Sequence, residues 1–434
     1  MMAEPGDLVE VKTILETVQG ILMPSFDENV LLIKLNTGYN VGFNRKNVLS
    51  VKLIEEKKET ITKEKEISKN PKLKTIAVLH TGGTIASKVD YRTGGVATEF
   101  SPAELISLFP ELKNIANIES ELISQMWSDD LRFAHFTLIA EKIEEYVHHG
   151  VDGIIIGIGT DNLAVASAAL SFIVEKSPVP IIFVGAQRSS DRGSSDAAMN
   201  VICAANFIVN SKFSGVAICM HSGSSDNSCY ILPANKTYKL HSSRRDAFKP
   251  VNSDAIAEIN YVSGKIKFFT KHYATKCKEL IIKPKMEEKV GLLKIHVNMF
   301  PEQFEFFQGY KGLIIEGTGL GHTPGQVPND LCTIHQRIYP AIKELINSGC
   351  VVVMTTQCIF GGVNMHVYDK GRDLLNLGVI SGEDMLANAA LVKLSWLLGN
   401  YDIKEVKNLI DKNLRGEINV QRTYEKDLAD DMYY

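Results

Sequence analysis

The sequence predicts an α/β fold: a doubly wound parallel sheet, a smaller α/β unit after it, and a small N-terminal β-barrel before it. Three observations carry this. From Thr75 onward, apolar strands alternate with helical stretches. After about residue 280 the alternation begins again. Residues 1–54 instead read as short strands divided by turn signals.

Within 1–54, VLLIKL (Val30–Leu35) meets YNVGF (Tyr39–Phe43) across Asn36-Thr37-Gly38, a hairpin with a glycine in its three-residue loop. DLVEVK, VQGILM and NVLSVKLI bring the count to about five strands, enough for a small barrel. Residues 55–72, EEKKETITKEKEISKNPK, are nearly all polar with alternating charge and read as a solvated linker.

The larger α/β unit, 73–280, runs TIAVLH, a helix from Pro102, IESELISQM, a helix around Phe136–His148, GIIIGI, a helix over Leu163–Glu175, PIIFVG, a helix over Ser195–Val209, and GVAICM. Ser101-Pro102-Ala103-Glu104 is a capping box with proline at the first helical position. Phe136, Ile139, Ile143 and Tyr146 share one helical face. This pattern calls for a parallel sheet covered on both sides. The smaller unit, 281–404, offers VGLLKIHV, GLIIEG and VVVMTT as strands and a long helix over Asp384–Leu398. Residues 405–434 form a charged, helix-prone tail.

Composition narrows the function. The 434 residues carry a net charge of −4, so the chain as a whole has no basic balance for gripping nucleic acid; such a role needs a local patch or a basic partner. Seven cysteines without a C-x-x-C spacing argue against zinc ribbons and a disulfide framework, and suit a reducing, cytoplasmic setting. MMAEPGDLVEVK lacks the basic and apolar regions of a leader, and no apolar run approaches a membrane span. Gly157-Ile158-Gly159-Thr160-Asp161-Asn162 lacks the third glycine of a dinucleotide fingerprint, and no phosphate-loop motif occurs.

Two threonines stand out. Thr84 follows the strand ending at His80, after Gly82 and Gly83; Thr160 follows the strand ending at Ile158. In an open parallel sheet, strand ends at the topological switch point form the ligand crevice, so both can face one cleft although 76 residues apart. Either alone reads first as a turn or cap residue, and the two together, with Asp161 beside one of them, weaken that reading. A nucleophilic threonine needs a base and an orienting charge. Asp161 supplies charge, and a desolvated lysine is a suitable base, though composition does not say which lysine.

HTGGTIAS with IGTDN resembles the paired signatures of the type I/II L-asparaginase family, usually TGGTIA and HGTD. VPIIFVGAQRSSDRGSSDAAMN and LHSSRRDAFK resemble its following blocks, and the similarity covers roughly 75–400. It implies an asparaginase-like two-domain α/β fold. It also implies Thr84 as nucleophile, Tyr91 as the mobile-loop residue taking its proton, and Thr160, Asp161 and Lys239 as a second triad. Asp161 would hold the substrate α-amino group, and Ser128 its α-carboxylate. Asp129 stands where the family usually has glutamine, and Ile158 and Asn162 replace two residues flanking the second signature. These departures bear on substrate choice rather than reaction type.

PGDLVEVKTILETVQGILMP, LNTGYNVGF, IEGTGLGHTPGQVP and CIFGGVNMHVYDKGRDLLNLGVISGEDM extend the resemblance over the whole chain, to the D-subunit family of archaeal glutamyl-tRNA(Gln) amidotransferases. That implies glutamine as substrate and an E subunit as partner. Glu-tRNA(Gln) would be held mainly through that partner, and no cofactor would sit in this chain. ATP and Mg2+ would sit at the E subunit, and a homodimer core would lie within a heterotetramer. The alternatives are a free asparaginase/glutaminase with an accessory domain and a non-catalytic module that kept the fold.

Overall fold

The computed structural model describes residues 3–23, 25, 27–35, 40–56, 69–82, 88–89, 96–97, 109–188, 195–271, 273–275 and 277–421. The capping box at 101–104 lies outside these residues, as does 57–68 of the linker stretch.

The N-terminal strands Leu8–Thr13, Thr17–Met23, Val30–Lys34, Asn40–Asn44 and Val48–Glu55 form one antiparallel sheet. The predicted hairpin is present, with Lys34 opposite Asn40 and residues 36–39 of its loop outside the described set. Val9, Val11, Leu22, Leu31 and Ile33 alternate inward to make its core. The end strands, Asn40–Asn44 and Val48–Glu55, do not pair with each other among the described residues, so the sheet is an open five-stranded one, consistent with a barrel but not closed by hydrogen bonds.

The large sheet has eight strands. Five are parallel, in spatial order Asn117–Leu122, Thr75–His80, Gly153–Gly157, Pro180–Val184, Gly215–His221. Three more, Ser228–Pro233, Ala257–Asn260 and Ile266–Phe268, extend it antiparallel. The sheet is therefore mixed where the sequence predicts a parallel one. Of the added strands, Ala257–Asn260 and Ile266–Phe268 have only 4 and 3 residues and are interrupted by Glu258 and Lys267, so they lack the apolar runs that mark the parallel strands.

Side-chain alternation puts the strands in two apolar layers. Leu79, Ile154, Ile156, Phe183 and Ile218 face one; Ile76, Val78, Ile155, Ile182 and Cys219 face the other. Helices Phe133–His148 and Leu163–Ile173 cover the first layer, and Ala197–Asn210 covers the second. In chain order the parallel strands run 2-1-3-4-5, which places the switch point between Thr75–His80 and Gly153–Gly157.

The smaller unit is a parallel sheet of Val290–Lys294, Gly312–Gly317, Val351–Thr356 and Ile380–Ser381. Its last long helix, Ala387–Asn400, packs back on Leu163–Ile173, with the rings of Phe172 and Trp396 stacked at 5.9 Å. The two α/β units thus share a core. The helix starts at Ala387 rather than Asp384 because Asp384 sits in a turn with its carboxylate committed elsewhere. Within the stretch read as a charged tail, Val406, Ile410 and Ile418 are buried. Glu417 there forms a fully buried ion pair with Lys393 at 2.6 Å.

Candidate active site

Three chain segments converge at the carboxyl edge of the parallel strands. After Thr75–His80 the chain continues through Thr81, whose N–H donates to Gly157 O and whose carbonyl accepts from Met126 N. Gly82 follows with φ of +86°, and a Cβ there would lie 3.0 Å from Met126 O. Glycine meets both demands. The second segment, after Asn117–Leu122, presents Ser128. The third, after Gly153–Gly157, presents Gly159, Thr160 and Asp161.

Ser128 is 5% exposed, and its hydroxyl lies 3.4 Å from Asn162 N. The Asn162 amide donates to Ser128 O at 2.8 Å. A Cβ on Gly159 would stand 2.8 Å from Ser128 Oγ, so the lack of a side chain at Gly159 lets the two loops touch. Asp129 is exposed at the next position. Asp161 lies just before helix Leu163–Ile173, where the helix N-terminus favours a carboxylate.

Lys239 comes from a different element. It ends Thr237–Lys239, one strand of a two-stranded hairpin completed by Phe248–Pro250 and separate from the main sheet. Its ammonium donates to Thr160 Oγ1 at 2.9 Å and to Asp161 Oδ1 at 2.7 Å. The Lys239 side chain is 14% exposed and that of Asp161 is 70% exposed, so the pair spans from wall to opening. Because Thr160 accepts from lysine, its own hydroxyl proton is left free to point into the cleft. With Lys239 as the neutral amine the arrangement can take a proton from a group in the cleft through Thr160, and Asp161 then stabilises the ammonium that forms. A cavity of about 170 Å³ borders Asp161 and Lys239, and Leu386, Asn388 and Ala389 of the smaller unit line it too.

Thr160, Asp161, Lys239 and Ser128 are therefore brought together. Thr84 and Tyr91 lie outside the described residues. The strand that leads to Thr84 ends beside the strand that leads to Thr160, at the switch point.

Three further residues near the site leave no mark in the sequence. His80, at the strand end before the glycines, is 2% exposed, and neither ring nitrogen has a partner among the described residues. Burial pushes its pKa down to about 4, so it is neutral at pH 7. Lys236 and Asp384 form a buried ion pair three residues before Lys239. Their 148-residue separation leaves no local signal.

Comparison with known proteins agrees with this architecture. The family model described as Asparaginase, N-terminal, matches 75–274; Glutaminase/Asparaginase C-terminal domain matches 289–410; GatD N-terminal domain matches 3–54. The L-asparaginase of Thermococcus kodakarensis superposes with a TM-score of 0.70 at 29% identity, over 80% of this chain and 100% of that one. The D subunit of the glutamyl-tRNA(Gln) amidotransferase of Methanococcus maripaludis is 43% identical over 421 residues, covering 95% of this chain and 98% of the relative. The corresponding D subunit of Pyrococcus furiosus is 40% identical over 424 residues, covering 96% and 92%. The chain belongs to the family of glutamyl-tRNA(Gln) amidotransferase D subunits.

Proposed function

We propose that this chain is the glutamine-hydrolysing subunit of a tRNA-dependent amidotransferase that converts Glu-tRNA(Gln) to Gln-tRNA(Gln). The observation that carries this reading is the bonding of the Lys239 ammonium to both Thr160 and Asp161 at the switch point, within a chain similar to D subunits along nearly its whole length.

The chemistry follows from the residues. Thr84 Oγ attacks the side-chain amide carbon of glutamine while Tyr91 takes its proton. The C–N bond breaks, and ammonia leaves with a proton. Water gives its proton through Thr160 to Lys239 in its neutral amine form and cleaves the acyl ester to glutamate, after which Lys239 releases that proton to solvent. The net reaction is glutamine plus water to glutamate plus ammonia. Ser128 receives the α-carboxylate, Asp161 the α-amino group, and Asp129 lies beside Ser128 at the opening. The ammonia is used by an E subunit that binds ATP and Mg2+, activates the mischarged glutamate and holds most of the tRNA. A homodimer of this chain forms the core of the heterotetramer, in the cytoplasm.

The test measures ammonia from glutamine for the chain alone, with its E-type partner, and with that partner plus Glu-tRNA(Gln). The expected order is rising rates. Equal rates in all three, or a strong preference for free asparagine, would replace this reading with a free asparaginase carrying an accessory domain. Thr84→Val should remove hydrolysis in a folded protein, by several orders of magnitude.

A further inference from the structure

We propose that Asp384 and Lys236 are positioning residues for Lys239, and that through them the smaller α/β unit sets the geometry of the proton relay. This rests on the role given to Lys239 above. The hairpin carrying Lys239 lies outside the main sheet, so its placement needs anchors of its own. Both of its ends are bolted to the smaller unit, at the turn of Glu383 and Asp384 and at the loop of Gly361 packed against it.

At the leading end, Lys236 Nζ donates to Asp384 Oδ2 at 2.5 Å. Lys236 is 1% exposed and Asp384 is 8% exposed. The other carboxylate oxygen, Asp384 Oδ1, accepts from Asn419 N at 2.9 Å. At the trailing end, Asn252 holds Gly361 from both sides: Oδ1 accepts from Gly361 N at 2.8 Å, and Nδ2 donates to Gly361 O at 2.7 Å. Asn252 Nδ2 also reaches Asp384 O at 3.3 Å, and Asn252 O accepts from Asn419 Nδ2 at 2.6 Å. Val251 N to Lys236 O, 2.7 Å, closes the hairpin between the two anchors.

The turn is itself held rigidly. Glu383 has φ of +55°, Val363 N donates to Glu383 O, and a Cβ on Gly362 would stand 2.8 Å from Asp384 Cα. A buried ion pair is weak evidence of stabilisation, because desolvation offsets its Coulomb gain; its best use is to fix one arrangement over others. Here the arrangement fixed is the start of a strand whose third residue must place an ammonium between Thr160 and Asp161. Displacement of a reacting group by about 1 Å can cost about a hundredfold in rate.

The experiment uses the full-length chain, in whichever state hydrolyses glutamine fastest, with Asp384→Asn, Asp384→Glu and Asn419→Ala. Circular dichroism and thermal melting establish folding. Asp384→Asn should lower kcat by about 10- to 100-fold with KM for glutamine within about threefold, and Asp384→Glu should recover part of the loss. In parallel, trinitrobenzenesulfonate labelling of Lys239, mapped by peptide mass, should change in rate by about threefold or more as its bonds to Thr160 and Asp161 loosen. A folded Asp384→Asn with wild-type kcat and wild-type labelling overturns the proposal. If Asp384→Asn does not fold, Asp384→Glu decides, because it shifts the carboxylate within the same pair: unchanged kcat and labelling in a folded Asp384→Glu overturn the proposal, and Asn419→Ala, which loses only the bond to Asn252 O, serves as the control expected to change less. If no form of the protein hydrolyses glutamine, the functional reading fails, while the labelling still decides whether Asp384 positions Lys239.

Discussion

The ammonium of Lys239 stands 2.9 Å from the hydroxyl of Thr160, a contact between residues 79 positions apart that joins a peripheral hairpin to the end of a central strand. Lys239→Met keeps the aliphatic stem and removes the donor to Thr160 and Asp161. It should abolish turnover, by several orders of magnitude in kcat, while melting stays cooperative. Thr160→Ser, which keeps the hydroxyl, should retain far more activity than Thr160→Val. Steady-state glutamine hydrolysis by the three variants checks this, and substantial activity in Lys239→Met would require a different base.

Gly159→Ala should damage substrate binding through Ser128. The added methyl would lie 2.8 Å from Ser128 Oγ and 2.9 Å from its Cβ, too close for either to remain in place. Glutamine KM should rise about tenfold, with about 1–3 kcal/mol lost from stability. The double variant Ser128→Gly with Gly159→Ala should regain the stability but not the KM, which separates the clash from the contact. Unchanged KM in Gly159→Ala would remove Ser128 from the binding site.

His80 makes stability depend on pH. Its imidazole titrates near 6.5 when exposed and near 4 in the fold, because burial disfavours the charged ring. Above pH 6.5 it is neutral in both states. As pH falls from 6.5 to 4 the unfolded chain takes up a proton that the folded chain refuses, so stability falls by about 3 kcal/mol. His80→Leu should lack this component. Urea unfolding at pH 7 and pH 4 should show the parent losing about 3 kcal/mol more than the variant; equal losses would contradict the assignment.

Glu417→Ala should destabilise the protein by about 3–5 kcal/mol, because it removes the counter-charge of the Lys393 ammonium, leaving only the Ile410 and Lys412 carbonyls, in a site with no exposure. Lys393 already has its pKa pushed down by burial, with Glu417 opposing the shift. Lys393→Met with Glu417→Gln should lie much closer to the parent, because the glutamine oxygen can still accept from Leu414 N and Arg415 N. Thermal and denaturant melts of the three proteins give the comparison.

The parallel strands are legible in the sequence because burial on both faces writes continuous apolar runs, as in Ile154-Ile155-Ile156. The antiparallel extension is not, because strands such as Ile266–Phe268 are short and partly exposed. Thr160 and Asp161 are visible from their place after a strand, whereas Lys239 comes only through family resemblance: nothing in TYKLHSS marks one lysine over another. The smaller unit's long helix reads three residues too early at its start because Asp384 resembles a helix-leading residue locally, while its carboxylate is bound to Lys236. Such pairs exist only once the chain has folded, so sequence periodicity carries no trace of them.

The stacking of Trp396 on Phe172 has a consequence for synthesis on the ribosome. The apolar flank of Leu163–Ile173 is covered by a helix made some 220 residues later. At about 5–20 residues per second, that flank stays bare for roughly ten to forty-five seconds in a nascent chain. The larger unit therefore presents a bare apolar flank throughout that interval, although its strand order is complete long before. A chain stopped at residue 386 should bind an apolar dye that the whole chain excludes, and failure to bind would show that the flank is sealed earlier by other means.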